Sequence, residues 1–444
     1  MAFFPVLQPK FNRYSFPVVN SCNEKLLQHQ SDALEALKVW FSRNDDVPGK
    51  ALISMPTGSG KTGVISCLPY FIGSIGMEDC PSNFPTGNPR YKFDKPILVL
   101  APSRDIADQL ERQILVAAAE QTDNFLVRKK IVSDAFRREV LPNGVKIDGT
   151  AQLTHPDFIK DKDVIIANVH KFLSKKPSRE DSRWWVEELP DDLFKIVIVD
   201  EAHHFPTPTW KRIIDKFRGH ALVVFLTATP FRSDKEEIIE DVKDAVVFHL
   251  SLAQARDARV IRRTTLTVVK TAGKTDEQIF RAVLAKVKQI QDGKNRDQPL
   301  PGGVPHMAMA ITKTKELANL VAETWNNFCD NGTAFAYYTD VPKELPQLPE
   351  IMNGIKRNQV KLLVVVGMLL EGFDHPPISI AAILTRIGSA RKFVQFVGRA
   401  QRVVRSPHEE KPNVIADIVT HSIFEQDENY RKFEKEDFVN LIQT

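Results

Sequence analysis

Met55-Pro-Thr-Gly-Ser-Gly-Lys-Thr62 stands between a short apolar run, Ala51–Ser54, and a stretch of helical character, and that setting decides the fold. Small residues let consecutive backbone N–H groups curl around phosphate oxygens, and a helix starting at the end of the loop turns its positive pole toward them. Thr57, Gly58, Ser59 and Gly60 form the cradle, Lys61 reaches the β- and γ-phosphates of a nucleotide, and the Thr62 hydroxyl ligates Mg²⁺. The general pattern G-x-x-x-x-G-K-[ST] begins with glycine where this chain has Met55, so one turn-former is missing while the strand–loop–helix context is kept.

Further along, Phe194-Lys-Ile-Val-Ile-Val199 runs into Asp200-Glu-Ala-His-His204. A carboxylate at the end of a buried strand is poorly solvated unless a cation neutralises it, and phosphate-bound Mg²⁺ is such a cation. Asp200 is placed to hold that ion, usually through water, and Glu201 to polarise an attacking water as general base. The same Asp-Glu step is also a common helix N-cap. Mg²⁺ prefers oxygen ligands, so His203 reads as a hydrogen-bonding relay and His204 as a structural residue. Residues 386–405 hold six bases (Arg386, Arg391, Lys392, Arg399, Arg402, Arg405) and no acid. Arg399 and Arg402 are three apart, hence on one helix face, where both can point at a γ-phosphate; a basic helix facing solvent or nucleic acid is the competing reading.

The chain has 444 residues, 43% hydrophobic and 26% charged, enough for more than one packed core. Its 60 basic and 56 acidic residues leave +4, so a polyanion must be met by a local patch. Cys22, Cys67, Cys80 and Cys329 lie far apart, with no zinc-like spacing, which argues against a disulfide scaffold or a zinc module. Met1–Leu7 is a poor signal-peptide core, and Leu362–Leu370 is less than half of the roughly 20 residues that span a bilayer. The expectation is a soluble, intracellular protein of cytoplasm or nucleus, with no membrane partner.

Short apolar runs alternate with amphipathic stretches from about residue 26 to about 425, the rhythm of βα units around parallel sheets. Strands are expected at Ala51–Ser54, Ile97–Leu100, Val164–Ala167, Ile196–Val199 and Leu222–Leu226, then at Met307–Ile311, Thr333–Tyr338, Leu362–Val366 and Ile380–Leu384. Their unalternating Val/Ile/Leu character means burial on both faces, and the two series suggest two α/β domains joined near Arg259–Lys274. Gly73–Pro96, Asp292–Val304 and Val341–Pro349 read as surface loops. Trp184, Trp185 and Phe393 could stack on bases, although the tryptophan pair, ahead of a Glu-Glu-Leu-Pro turn, favours the core.

Taken in order, nine segments resemble superfamily 2 helicases of the branch bearing an Asp-Glu-Ala-His box, and most of all the helicase subunits of type III and type I restriction enzymes and related DNA-dependent ATPases. Leu27-Gln-His-Gln30-Ser-Asp-Ala-Leu34 resembles the glutamine motif, which implies adenine recognition by Gln30. Met55–Thr62 is similar to motif I, where a first residue other than glycine is usual. Val99–Gln109 (with Ser103 and Arg104) and Val164–Lys171 (with Asn168 and His170) resemble motifs Ia and Ib/Ic, implying contacts to a strand backbone. Asp200–His203 is similar to motif II, and Leu226-Thr227-Ala-Thr229-Pro230 to motif III, which couples ATP turnover to movement. Ala310-Ile-Thr312-Lys313-Thr314 stands where motif IV is expected to contact the strand, Glu371-Gly-Phe-Asp374 resembles motif V and implies a ribose contact for Asp374, and Gln395–Arg402 is similar to motif VI.

The resemblance implies an α/β fold of two tandem RecA-like domains with mainly parallel sheets and a nucleotide cleft between them. In residue numbers it gives an N-terminal extension over 1–24, domain 1 over 25–262, domain 2 over 263–425 and an acidic tail over 426–444. Lys61, Glu201, Arg399 and Arg402 are then catalytic, Thr62 and Asp200 hold Mg²⁺, and His203, Thr227, Thr229 and Gln395 couple the nucleotide to movement. The implied function is ATP-dependent translocation along, or unwinding of, nucleic acid, DNA favoured and RNA open, with a nuclease or specificity subunit as a possible partner. An ATP-gated duplex-binding scaffold or sensor, or a restriction or antiviral subunit without unwinding of its own, would carry the same ATP residues.

Overall fold

The structure, a computed structural model, describes residues 26–42, 49–72, 95–115, 124–129, 142–148, 159–172, 185–204, 207–228, 245–273, 275–338, 346, 348–366, 375–404 and 414–435. The expected extension over 1–24, most of the Gly73–Pro96 and Val341–Pro349 loops, Trp184, Thr229 and Asp374 lie outside these residues. Two compact units divide the chain: Met1–Met55 with Gly60–Leu250, and Pro56–Ser59 with Ser251–Thr444.

In the first unit the strands are β1 (Lys50–Ser54), β2 (Ile97–Ala101), β3 (Gly144–Ile147), β4 (Val164–Asn168), β5 (Ile196–Val199), β6 (Leu222–Thr227) and β7 (Val246–His249). They form a parallel sheet in the order β3-β4-β2-β5-β6-β1-β7. The helices of six or more residues here are α1 (Gln28–Ser42), α2 (Lys61–Ile72), α3 (Arg104–Ile114) and α4 (Pro208–Phe217). Helix α3 starts because the Ser103 hydroxyl accepts from Ile106 N, and it buries Ile106, Ala107, Leu110 and Ile114 at helical spacing. Helix α4 opens with Pro208, whose missing N–H costs nothing at a first turn, and it buries Trp210, Ile213, Ile214 and Phe217. Phe217 meets Phe194, on the approach to β5, edge to face at 4.9 Å.

The second unit contains β8 (Thr264–Val269), β9 (Met307–Thr312), β10 (Ala334–Tyr337), β11 (Leu362–Val366), β12 (Ile378–Ile383) and β13 (Ala416–His421), parallel in the order β10-β11-β9-β12-β13-β8. Its helices are α5 (Leu252–Asp257), α6 (Asp276–Asp297), α7 (Lys315–Phe328), α8 (Leu348–Lys356), α9 (Ala390–Ala400) and α10 (Asp427–Lys435). A reciprocal Thr275–Gln278 capping box starts α6, which packs Ile279, Phe280, Val283, Leu284 and Val287 on the sheet beside Val321 and Trp325 of α7. Helix α10 is pinned by Phe433, fully buried against Phe393 at 5.9 Å and capped by Arg256, whose guanidinium forks onto Glu434 at 2.7 and 2.9 Å. Phe393 is therefore core, with no face left for stacking on a base.

The expectation that Asp292–Val304 is a loop is corrected over its first part. Helix α6 runs on through Asp297 because Lys294 is buried, its ammonium 2.8 Å from Asp417 of β13 and bonded to the Ile415 carbonyl. Alongside, Gln291 donates to the His306 and Lys361 carbonyls at 2.8 and 2.9 Å. His306 is wedged between Ser379 Oγ and the Gln298 carbonyl, each at 2.7 Å. A carbonyl only accepts, so Nε2 carries the proton and Nδ1 accepts from Ser379. Burial, helped by the charges of Lys294 and Arg262, pulls its pKa down to about 4.

Candidate functional site

Parallel strands put all their carboxyl ends on one edge of a sheet, where open α/β folds bind ligands. On the first sheet that edge carries Met55 after β1, Ser103 after β2, Asn168 at the end of β4, Asp200 after β5 and Thr227 at the end of β6.

The phosphate loop opens as a continuation of β1. Met55 is fully buried and its N–H donates to the Thr227 carbonyl at 3.0 Å. Turning begins beyond it, with Ser59 N and Oγ both donating to Pro56 O, and with Gly58 and Gly60 at φ +85 and +97, a region that favours glycine. A Cβ on Gly60 would lie 2.6 Å from Gln30 Nε2. That amide donates to Gly60 O at 2.8 Å while its Oε1 accepts from Leu27 N at 2.9 Å, so Gln30 joins α1 to the loop with one N–H and one lone pair. Lys61 is the first residue of α2 and rests its ammonium 3.4 Å from Met55 O; Thr62, half-buried, follows it.

Asp200 is 7% exposed, its N–H donating to Leu100 O and its Oδ1 accepting from Glu201 N at 2.9 Å. Burial first, then the Glu201 carboxylate, pushes its pKa up to about 7, and the Lys61 ammonium works against them. A hard divalent cation nearby would relieve a carboxylate so placed. Glu201 has φ +49, an uncommon value for a residue with a side chain. Its Oε2 lies 3.3 Å from His203 Nδ1, which also lies 3.4 Å from Thr227 Oγ1. A buried imidazole thus bridges the carboxylate after β5 to the hydroxyl ending β6.

The other residues fall as follows. Ser103 caps α3 and Arg104 stands exposed at its first position. Asn168 Oδ1 accepts from His170 N at 2.8 Å, leaving the His170 ring exposed. Because β4 and β2 are neighbours, these four share the flank of the edge away from β1. In the second unit Thr312 is fully buried, its hydroxyl within 3.2 and 3.4 Å of the Thr314 and Val365 carbonyls, while Lys313 is exposed. Helix α9 buries Phe393, Phe396 and Val397 and carries Gln395 half-buried and Arg399 at 8% exposure; it ends at Ala400, so the expected shared helix face of Arg399 and Arg402 is corrected, Arg402 lying beyond the helix in a bridge with Ile261. Arg386 is spent on an ion pair with Glu425. Sequence reasoning missed Gly63, where a Cβ would fall against Gln30 Nε2 and within 2.7 Å of the Phe125 ring; its position directly after the loop was the available signal.

A family model described as "Type III restriction enzyme, res subunit" matches residues 23–232. "Putative ATP-dependent helicase IRC3" of Saccharomyces cerevisiae is 23% identical over 424 residues, covering 88% of this chain and 50% of that protein. Among solved structures, "the fragment structure of a putative HsdR subunit of a type I restriction enzyme from Vibrio vulnificus YJ016" superposes with TM-score 0.58 at 19% identity, covering 90% of this chain and 65% of that one. Mycobacterium smegmatis helicase Lhr, solved with ssDNA and AMP-PNP, gives 0.55 at 15% identity over 93% of this chain and 48% of its own. The chain spans about half the length of the curated relative. The fold is that of two RecA-like α/β domains, each with a parallel sheet. No helix among the described residues is long and apolar enough to cross a membrane.

Proposed function

We propose that this chain, whose sequence and fold comparisons support a superfamily 2 helicase core, is an ATP- and Mg²⁺-dependent motor that moves along or unwinds nucleic acid, DNA favoured. The observation that carries the reading is the grouping of Lys61, Asp200, Glu201, His203 and Thr227 at one sheet edge. Lys61 leaves the Met55 carbonyl for the β- and γ-phosphates, and the cradle N–H groups of residues 57–60 hold the rest of the triphosphate. Gln30 reads the adenine and Asp374 the ribose. Thr62 and Asp200 fit Mg²⁺, since both offer oxygen and the buried Asp200 carboxylate gains most from a nearby cation. That ion neutralises charge on the phosphates when bound. Glu201 takes the proton of the attacking water, and Arg399 and Arg402 stabilise the charge that grows on the transferring group.

His203 carries the state of Glu201 to Thr227, and so into the Thr227–Pro230 segment; Thr229 and Gln395 act in the same coupling. Asp200–His203 then serves as an Asp-Glu-Ala-His box. Ser103, Arg104, Asn168, His170 and Lys313 are the strand contacts, with Thr312 contributing through its main chain, its hydroxyl being turned to two carbonyls. Contacts of this kind to phosphates carry no sequence information, so target choice falls to a partner, such as a nuclease or specificity subunit, or to other segments. An intracellular location belongs to the same proposal.

ATP turnover measured without polymer and with single- and double-stranded DNA and RNA tests the reading. Stimulation by DNA above RNA is expected, and no stimulation by any polymer overturns it. A strand-displacement assay run alongside separates a motor from a duplex-binding scaffold.

A further inference from the structure

Arg262, between α5 and β8, is 2% exposed and serves none of the roles above. Its guanidinium donates to three main-chain carbonyls: Nη1 to Ile378 O at 2.6 Å and to Ala400 O at 3.0 Å, and Nη2 to Pro376 O at 3.0 Å. Its main chain holds the same place again. Arg262 N donates to Gln401 O at 2.7 Å, and Arg262 O accepts from Gln401 Nε2 at 3.2 Å. Next to it Ile261 forms an antiparallel bridge with Arg402. One residue therefore grips the end of α9 by side chain and backbone and ties it to 376–378, the segment just after Glu371–Asp374.

The gripped main chain is Ala400–Gln401, flanked on one side by Arg399 and on the other by Arg402. All three acceptors are carbonyls, so no opposite charge is drawn into the contact. Burial pulls the guanidinium pKa down to about 9, which still leaves it protonated at neutral pH. A buried cation of this kind is a costly way to hold a fold, since well-packed apolar residues often serve stability as well or better. A planar fork, however, fixes several carbonyls in one geometry, which an apolar side chain cannot do. One of them, Ala400 O, lies at the negative pole of α9, where a cation is favoured.

We propose that Arg262 is a positioning residue for Arg399 and Arg402: by clamping Ala400–Gln401 to residues 376–378 it sets where the two arginines stand during ATP hydrolysis. The proposal rests on the reading of those arginines as groups that stabilise the transferring phosphate. Small misplacements of such groups are costly, because a shift of about 1 Å can lose roughly 100-fold in rate.

The test is steady-state ATP turnover of the full chain with its stimulating polymer, in Arg262→Lys, Gln401→Ala, Arg399→Ala, Arg402→Ala and the two double variants that join a clamp change to Arg399→Ala. Arg262→Lys keeps the charge but loses the fork. It is expected to lower kcat at least about tenfold with KM for ATP changed less than about threefold. Combined with Arg399→Ala, its further loss should be clearly smaller than its loss in the parent, because part of the clamp's effect runs through that side chain and the rest through Arg402. Losses that multiply, or an Arg262→Lys rate equal to the parent's, overturn the proposal and leave Arg262 a plain structural tie. If Arg262→Lys loses its cooperative thermal transition, Gln401→Ala decides: a several-fold drop in kcat, again partly absorbed by Arg399→Ala, supports the clamp, and an unchanged kcat sinks it. Should Arg399→Ala and Arg402→Ala both keep the parental kcat, the reading of the arginines fails and takes the clamp with it. A slow Arg399→Ala beside full-rate clamp variants removes the clamp alone.

Discussion

At Glu201 the backbone occupies φ +49, a conformation that costs on the order of 1 kcal/mol or more and persists only where its surroundings impose it. The turn points one carboxylate at His203 while the preceding one stays buried, so the neighbouring acids have different environments, in keeping with the different tasks proposed for them. Glu201→Gln should therefore retain nucleotide binding, read by equilibrium titration, while kcat falls roughly 10²- to 10⁴-fold. Lys61→Ala should lose turnover altogether. Met55 makes an opposite point about consensus. Its side chain is buried and its backbone belongs to the strand, so installing the glycine of the general pattern empties core space. Met55→Gly should lower stability by about 2–5 kcal/mol in a denaturant titration without raising turnover. His306 sets a pH dependence. Its folded pKa of about 4 is depressed below the unfolded value, so the unfolded chain takes up the proton first and stability falls as pH drops from about 6.5 to 4. The full loss is roughly 3 kcal/mol, and His306→Gln should flatten that part of the stability–pH curve.

Elements buried on both faces were legible because short, unalternating apolar runs of this kind fit strands covered on both sides; each of the nine expected strands is present, Ile196–Val199 and Leu362–Val366 with the expected ends and the others shifted slightly. The strands that escaped are of two kinds. β3 and β7 stand at sheet edges with half-buried patterns, as does β8, whose Thr-rich run was expected only as a join, so they lack an unbroken apolar signature. β13 is interior, but Asp417 interrupts it, and the Lys294 that pairs with that acid lies 123 positions earlier, beyond any local pattern. The same distant pairing hid the last turns of α6. At the site, motif spacing made Lys61, Asp200 and Glu201 readable, whereas Arg262, a single arginine in a join, owes its importance to carbonyls more than 100 residues away. Helix α10, within the stretch expected as an acidic tail, is charge-balanced and structural: Phe433→Ala should cost about 3–5 kcal/mol, seen as a lowered melting temperature, by uncovering Phe393.

Across the whole molecule, a net charge of +4 spread over 444 residues cannot hold a polyanion by bulk attraction, so individual contacts should be countable in salt. Each phosphate neutralised contributes about 0.7–0.9 to the slope of log affinity against log salt. Arg104→Ala should reduce that slope by roughly one such increment in a binding titration while leaving turnover without polymer unchanged. Each sheet, being parallel throughout, has two dissimilar ends. The carboxyl ends of the first sheet hold the loop and acidic groups read as handling phosphate, whereas in the second unit the amino ends rest on a layer of Gln291, Lys294, His306 and Asp417, with Arg262 and the Ala400–Arg402 end of α9 beside it. Mutational tolerance should be polarised accordingly. A library aimed at those four amino-end residues, with Arg262 and Ala400–Arg402 left alone, would move melting temperature with little change in substrate preference, and one aimed at the carboxyl ends of the first sheet would do the reverse. Robustness and chemistry could then be selected in separate rounds.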